Sequence, residues 1–266
     1  MNRKKKIVAI LALLLIVGVF TQAGFLLADE HETEPHAIPQ EVLDRIREGD
    51  PEGYEKRVND FKSLLTKRDV HPSFQSEIER LVMANYPIQD VLIAYEFLYD
   101  RFGAVKDLMR LAEEKRGGAA WSEIFAAYDA AHPAFAPRAF DSAYLEKLLA
   151  TPDVTADDVM IADRVSFHTG KPVEELFETK AQQSLAWKEL NAQLGILYSA
   201  PELPRVQVTA ELLAKHTANG LTEEQATAAL VLAHKTETPA ETVVEWMGAG
   251  LSEGDIFARI YEARYN

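Results

Sequence analysis

From position 41 onward apolar residues recur at the 3.6-residue spacing of helices, and no stretch alternates with the period of two that a half-buried strand requires. Val42, Leu43 and Ile46 form one stripe, and Tyr54, Val58, Phe61, Leu64 and Leu65 form a second. Asp50-Pro51 predicts the start of that second helix, with Asp50 as N-cap and proline in the first helical position, where a missing N–H costs nothing. Twelve more helices are then expected in three groups of four. The first of each group spans 73–85, 141–150 and 209–218, and the second spans 88–102, 156–168 and 223–235, with Thr155 and Thr222 as caps of the later copies. The third begins at Ala104, Pro172 and Pro239. The fourth carries Ile124 and Tyr128, Leu190 and Leu194, or Ile256 and Ile260 on one face.

The groups share more than periodicity. Asp90-Val91-Leu92-Ile93-Ala94 returns as Asp158-Val159-Met160-Ile161-Ala162 and more loosely as Gln225-Ala226-Thr227-Ala228-Ala229, at offsets of 68 and 67 residues. Trp121-Ser122-Glu123-Ile124 returns as Trp187-Lys188-Glu189-Leu190, and then without its tryptophan as Glu253-Gly254-Asp255-Ile256. Proline-rich breaks at 132–137 and 201–204 separate the copies. Such small helical groups cannot bury their apolar faces alone, so they must share a core with their neighbours. The expected fold is all-α, a solenoid-like or compact array of short helices built from three degenerate repeats of about 67 residues. The expected divisions are a lead-in over 41–70 and repeats over 71–137, 138–204 and 205–266.

The N-terminus reads differently. Arg3, Lys4, Lys5 and Lys6 precede an apolar run from Ile7 to Phe20 and then Thr21-Gln22-Ala23, the order of a secretory signal. Residues 1–28 are therefore expected to be a signal peptide cut after Ala23 or Ala28. The alternative is an uncleaved membrane anchor, since about 20 apolar residues span a bilayer. Either way the rest is expected to be exported, extracellular or associated with the cell envelope, and any membrane contact to be confined to residues 7–28. Residues 29–40 form an acidic linker.

Overall, 28 Lys and Arg stand against 42 Asp and Glu, a formal charge of -14 that argues against a nucleic-acid partner. The chain has no cysteine, which removes thiol nucleophiles and zinc–thiolate sites and leaves the fold to packing alone. No spacing for a nucleophile elbow, metalloprotease helix, phosphate loop or calcium loop is present, so no enzyme and no cofactor is expected. Adjacent acids such as Asp157 and Asp158, or Glu174 and Glu175, diverge by about 100° and suit the positive ends of helices. Trp121, Trp187 and Trp246 are candidate ligand-stacking residues, weighed against a plain packing role between helices. His31 and His36, set among Asp29, Glu30, Glu32 and Glu34, are candidate metal ligands, weighed against a solvated flexible terminus. His168, His216 and His234 read as helix-end histidines.

The run Thr169-Gly170-Lys171-Pro172-Val173-Glu174-Glu175-Leu176, continuing to Trp187-Lys188-Glu189-Leu190 and Leu194-Gly195-Ile196, resembles a two-helix segment of exported Gram-positive bacterial helical-repeat proteins of unknown role. The resemblance covers one repeat and implies an envelope location without a specific activity. The expectation is thus a non-enzymatic protein-interaction or structural module with a protein partner in the envelope. A sensor or carrier holding a small molecule or cation between helices is the alternative, and a hydrolase using carboxylates from different repeats ranks last.

Overall fold

Caps and prolines set most helix starts. The computed structural model describes residues 36–218 and 220–266. The N-terminal segment 1–28, His31 and most of the 29–40 linker lie outside them. In chain order the described helices are α1 (Gln40–Gly49), α2 (Tyr54–Lys67), α3 (Pro72–Met83), α4 (Ile88–Asp100), α5 (Lys106–Arg116), α6 (Trp121–Ala131) and α7 (Ser142–Leu149). They continue with α8 (Ala156–Thr169), α9 (Val173–Gln182), α10 (Trp187–Leu194), α11 (Ala210–Thr217), α12 (Glu223–Thr236), α13 (Ala240–Gly248) and α14 (Glu253–Tyr265). The fold is all-α. Among the described residues the sole β pairing is an isolated antiparallel bridge between Ala104 and Ile196. None of the described helices is long and apolar enough to cross a membrane.

Thr155 and Thr222 each close a capping box, the hydroxyl accepting from the N–H three residues on while Asp158 or Gln225 reaches back. Pro172 and Pro239 sit one residue before the first helical position, as N-caps. Asp50 behaves differently from expectation. Its Oδ1 accepts the Gly53 N–H at 2.8 Å and its Oδ2 accepts Arg57 Nε at 2.9 Å, so Pro51–Gly53 is a turn and α2 starts at Tyr54. A short carboxylate satisfies a turn N–H as readily as a helix N–H.

α4 is buried all round, with Val91, Leu92, Ile93, Ala94, Phe97 and Leu98 fully covered by α2, α3, α5 and α14. At its centre Phe97 stacks on Phe125 of α6 at 3.9 Å and meets Phe257 of α14 edge-on at 6.0 Å. Its one buried carboxylate, Glu96, accepts Arg68 Nε at 2.8 Å and the Tyr265 hydroxyl at 2.9 Å. The last helix thereby locks onto the first ones. Lys56 donates to the Arg264 carbonyl at 2.7 Å, and Arg57 donates to that of Tyr265.

Residues 38–266 therefore close into one compact array, whereas in an open solenoid each group touches only its neighbours. The order of helices recurs from group to group, but the groups do not pack as equivalent units. α14 enters the core of the first group, while the middle group is joined to it largely through residues 195–199. There Val105 N–H donates to the Gly195 carbonyl at 2.8 Å, Leu197 N–H donates to that of Gly103 at 3.1 Å, and Tyr198 stacks on Phe102 at 4.0 Å.

Candidate functional site

Two corners of the molecule repeat a three-residue arrangement. Trp187 opens α10, is buried, and donates its indole N–H to Asp158 Oδ1 at 2.6 Å, while Lys180 lies 3.6 Å from the same carboxylate and 5.7 Å from the indole ring. At the matched positions Trp121 opens α6, also buried, with Lys115 at the same 5.7 Å from its ring and Asp90 beside it on α4. Phe177 and Phe125 pack against the two indoles. Both tryptophans thus tie the start of one helix to that of another and offer no exposed face for stacking. Trp246, on α13, is half-buried with the Arg259 guanidinium 4.6 Å over its ring. His36 precedes α1, and no group of three or more metal-ligating side chains occurs among the described residues.

The buried acids are each engaged. Asp157 holds Arg205 at 2.9 Å, Asp163 holds Arg138, and Asp158 serves the Thr155 cap as well as Trp187. Glu175 accepts from Lys171.

The most distinctive polar region lies where the C-terminal halves of α4, α8 and α12 converge. Asp100 is the hub, with Lys235 Nζ at 2.9 Å and Arg101 at 3.0 Å. Burial pushes the Asp100 carboxyl up, but these two cations outweigh it and hold the group below its ordinary value. Arg101 forks onto Asp129 with both contacts at 3.1 Å and reaches Glu253 at 3.4 Å. Arg164 sits beside this network. Its Cζ lies 4.7 Å from the Phe102 ring centre and 5.0 Å from that of Phe135, and its Nε is sealed from solvent without an acceptor. Burial lowers the pKa of its guanidinium and neighbouring Arg101 adds to this, while Asp100 and Tyr198 oppose it. His168, one turn further along α8, is depressed to about 4, first by burial and then by Arg164 and His132. At neutral pH its imidazole is uncharged. Clefts of about 310 Å3 and 200 Å3 open beside Arg164, one toward His132 and the other toward Tyr198.

On the outer side of α8 lies a mainly apolar groove of about 380 Å3, walled by Phe140, Leu145, Leu149, Val159, Met160 and Leu203, with Arg138, Asp163 and Arg164 at its edge. Leu149 and Met160 are 43% and 52% exposed, high for large apolar side chains on a folded helix. Neither the groove nor Arg164 was among the residues singled out from sequence. A signal was present: Arg164 occupies the position matched by Glu96 and Val231, a cation in a stripe that is otherwise acidic or apolar. The groove had no comparable signal, because an apolar residue at helical spacing reads as core until its neighbours are known. Comparison with protein-family models, with curated proteins and with solved structures finds no match to the chain.

Proposed function

We propose that the chain is a non-enzymatic protein-interaction module whose docking surface is the apolar groove between α7, α8 and the segment around Phe140. The observation that carries this reading is the exposure of Leu149 and Met160 on one continuous apolar wall, in a protein whose other large apolar side chains are mostly covered. The occupant is an amphipathic helix of a partner protein. Its apolar face fills the groove and its flanking Lys and Arg residues meet an acidic protein, whose full chain carries a formal charge of -14. Glu96, Asp157, Asp158 and Asp163 are each held by a cation, a cap or an indole, which favours binding over hydrolysis. Export to the cell envelope, read from the basic and apolar N-terminus, completes the proposal.

A photo-reactive residue replacing Met160 tests it in the producing cells. A discrete adduct with a Lys- and Arg-flanked apolar segment is expected there, and none is expected from the same residue at Met109, which is 41% exposed on α5 away from the groove. Equal labelling at both positions, or none at Met160, sinks the reading.

A further inference from the structure

Among the described residues every arginine except Arg164 and the exposed Arg259 is paired with a carboxylate. Arg164 differs from Arg259 in being half-buried, with a solvent-sealed Nε that finds no acceptor. The acid nearest to it in electrostatic effect, Asp100, is already committed to Lys235 and Arg101, and Arg101 in turn occupies Asp129 and Glu253. Arg164 is therefore left without a carboxylate in contact, between the rings of Phe102 and Phe135, although Lys235, Arg101 and Arg164 together balance Asp100, Asp129 and Glu253 in number. Removing a cation from water without a partner is costly, and a surrounding structure that keeps such a cation is a reason to look for a missing anion.

The surroundings narrow the ligand. A single guanidinium without a contacting carboxylate matches a monoanion, because a dianion would meet Asp100 and Glu253 with its second charge. The planar fork of a guanidinium matches the two oxygens of a carboxylate. Phe135 and Tyr198 line the adjoining clefts of about 310 Å3 and 200 Å3, which have room for a single ring, while a third cleft of about 590 Å3 beside Arg164 is rimmed by Glu223, Glu224 and Glu253 and is unsuited to a carboxylate. We infer that Arg164 is a binding residue for the carboxylate of an apolar monocarboxylic acid, held in the cleft between α4, α8 and the segment around Phe135. The carboxylate comes either from a free small acid or from the apolar C-terminal residue of a peptide. Arg164 and Phe135 also line the edge of the outer groove, but the acid site does not require that groove to bind a protein.

Thermal melting of the purified full chain at constant ionic strength provides the test. The probes are phenylacetate, its neutral counterpart phenylacetamide, inorganic phosphate, and a tripeptide ending in phenylalanine as free acid or amide. Phenylacetate is expected to raise Tm by about 2–4 °C at roughly five times its dissociation constant. The amide and phosphate are expected to leave Tm unchanged, and Arg164→Met is expected to abolish the response. A response to the free-acid tripeptide but not to phenylacetate keeps the carboxylate site and assigns it to peptide termini. Should Arg164→Met not fold, the His168 ring proton resonances of the unaltered chain report instead, since a carboxylate bound at Arg164 raises the pKa of that imidazole from about 4. An equal response to acid and amide overturns the inference. So does a response to phosphate matching that to phenylacetate, a response retained by folded Arg164→Met, or silence of both Tm and His168 up to tens of millimolar carboxylate.

Discussion

The first and second helix groups carry the same order of helices and many of the same residues, yet the first is the centre of the molecule and the second its edge. α4 is covered on every side, and at Phe97 it gathers aromatic rings from α6 and α14. α8 has Val165 at the matched position, also fully buried, but its outer side leaves Met160 and Phe167 exposed and, between them, the half-buried Arg164 without a contacting carboxylate. The contrast extends to the two tryptophan corners. Burial raises the pKa of Asp90 beyond what Lys115 and Trp121 can offset, and Pro87 at the helix start provides no hydroxyl. Burial acts in the same direction on Asp158, but there the Thr155 hydroxyl and N–H, then Trp187 and Lys180, prevail and lower its pKa. Two near-identical local sequences thus place a carboxylate in opposite electrostatic conditions, and the number of donors aimed at it decides which.

The largest effect expected from this contrast is in the core. Phe97→Ala should lower unfolding free energy by about 3–5 kcal/mol, against about 1.5–2.5 kcal/mol for Val165→Ala, because more contact is lost and a larger cavity left. Urea unfolding of the two variants measures both values, and equal losses would mean that the middle group is as central to stability as the first.

The aspartates should separate next. Asp158 is held below its ordinary value of 3.8, so its stabilising contribution is present above that value and is lost as pH falls through the folded pKa. Asp158→Asn should therefore cost about 1–3 kcal/mol at pH 7. Asp90 is raised above 3.8, so its contribution is present below that value and is lost as pH rises through the folded pKa. Asp90→Asn should accordingly be neutral or stabilising at pH 7, and a loss matching that of Asp158→Asn would refute the difference between the corners.

The smallest expected effect is the pH response of His168. Its pKa is 6.5 when unfolded and about 4 in the fold, so protonation favours the unfolded chain in that interval. Stability from this group is complete above 6.5 and is lost as pH falls toward 4. His168→Gln should flatten that part of the Tm profile relative to the parent, and superimposable profiles would show that the imidazole is not held neutral by its surroundings.

Much of the fold was legible because helices announce themselves locally. The stripes Val42–Ile46 and Val58–Leu65, the Thr155 and Thr222 caps and the prolines before α9 and α13 involve residues within one or two turns of each other. The error at Asp50 is local as well, since an aspartate before proline suits a turn or a helix start, and Arg57, seven residues on, favours the turn. The candidate sites were harder to read. Trp121 and Trp187 attract attention in sequence as ligand-stacking residues, but both are buried at corners beside an aspartate about thirty residues earlier, to which the Trp187 indole N–H donates. Arg164 has an ordinary neighbourhood in sequence and becomes unusual only once Asp100 is seen to be occupied by Lys235 of α12 and by its own neighbour Arg101.

The sequence by itself determined that the chain is all-α, which stretches become helices, and that its core rests on packing without disulfides, because periodicity, capping and composition act over a few residues. Only the tertiary structure decided that α14 returns to the first group and closes the array, that one tryptophan corner stabilises its carboxylate while the other does not, and that one half-buried arginine is left without a contacting carboxylate. Those outcomes depend on which distant faces meet, and burial and charge compensation are properties of the meeting, not of either face alone.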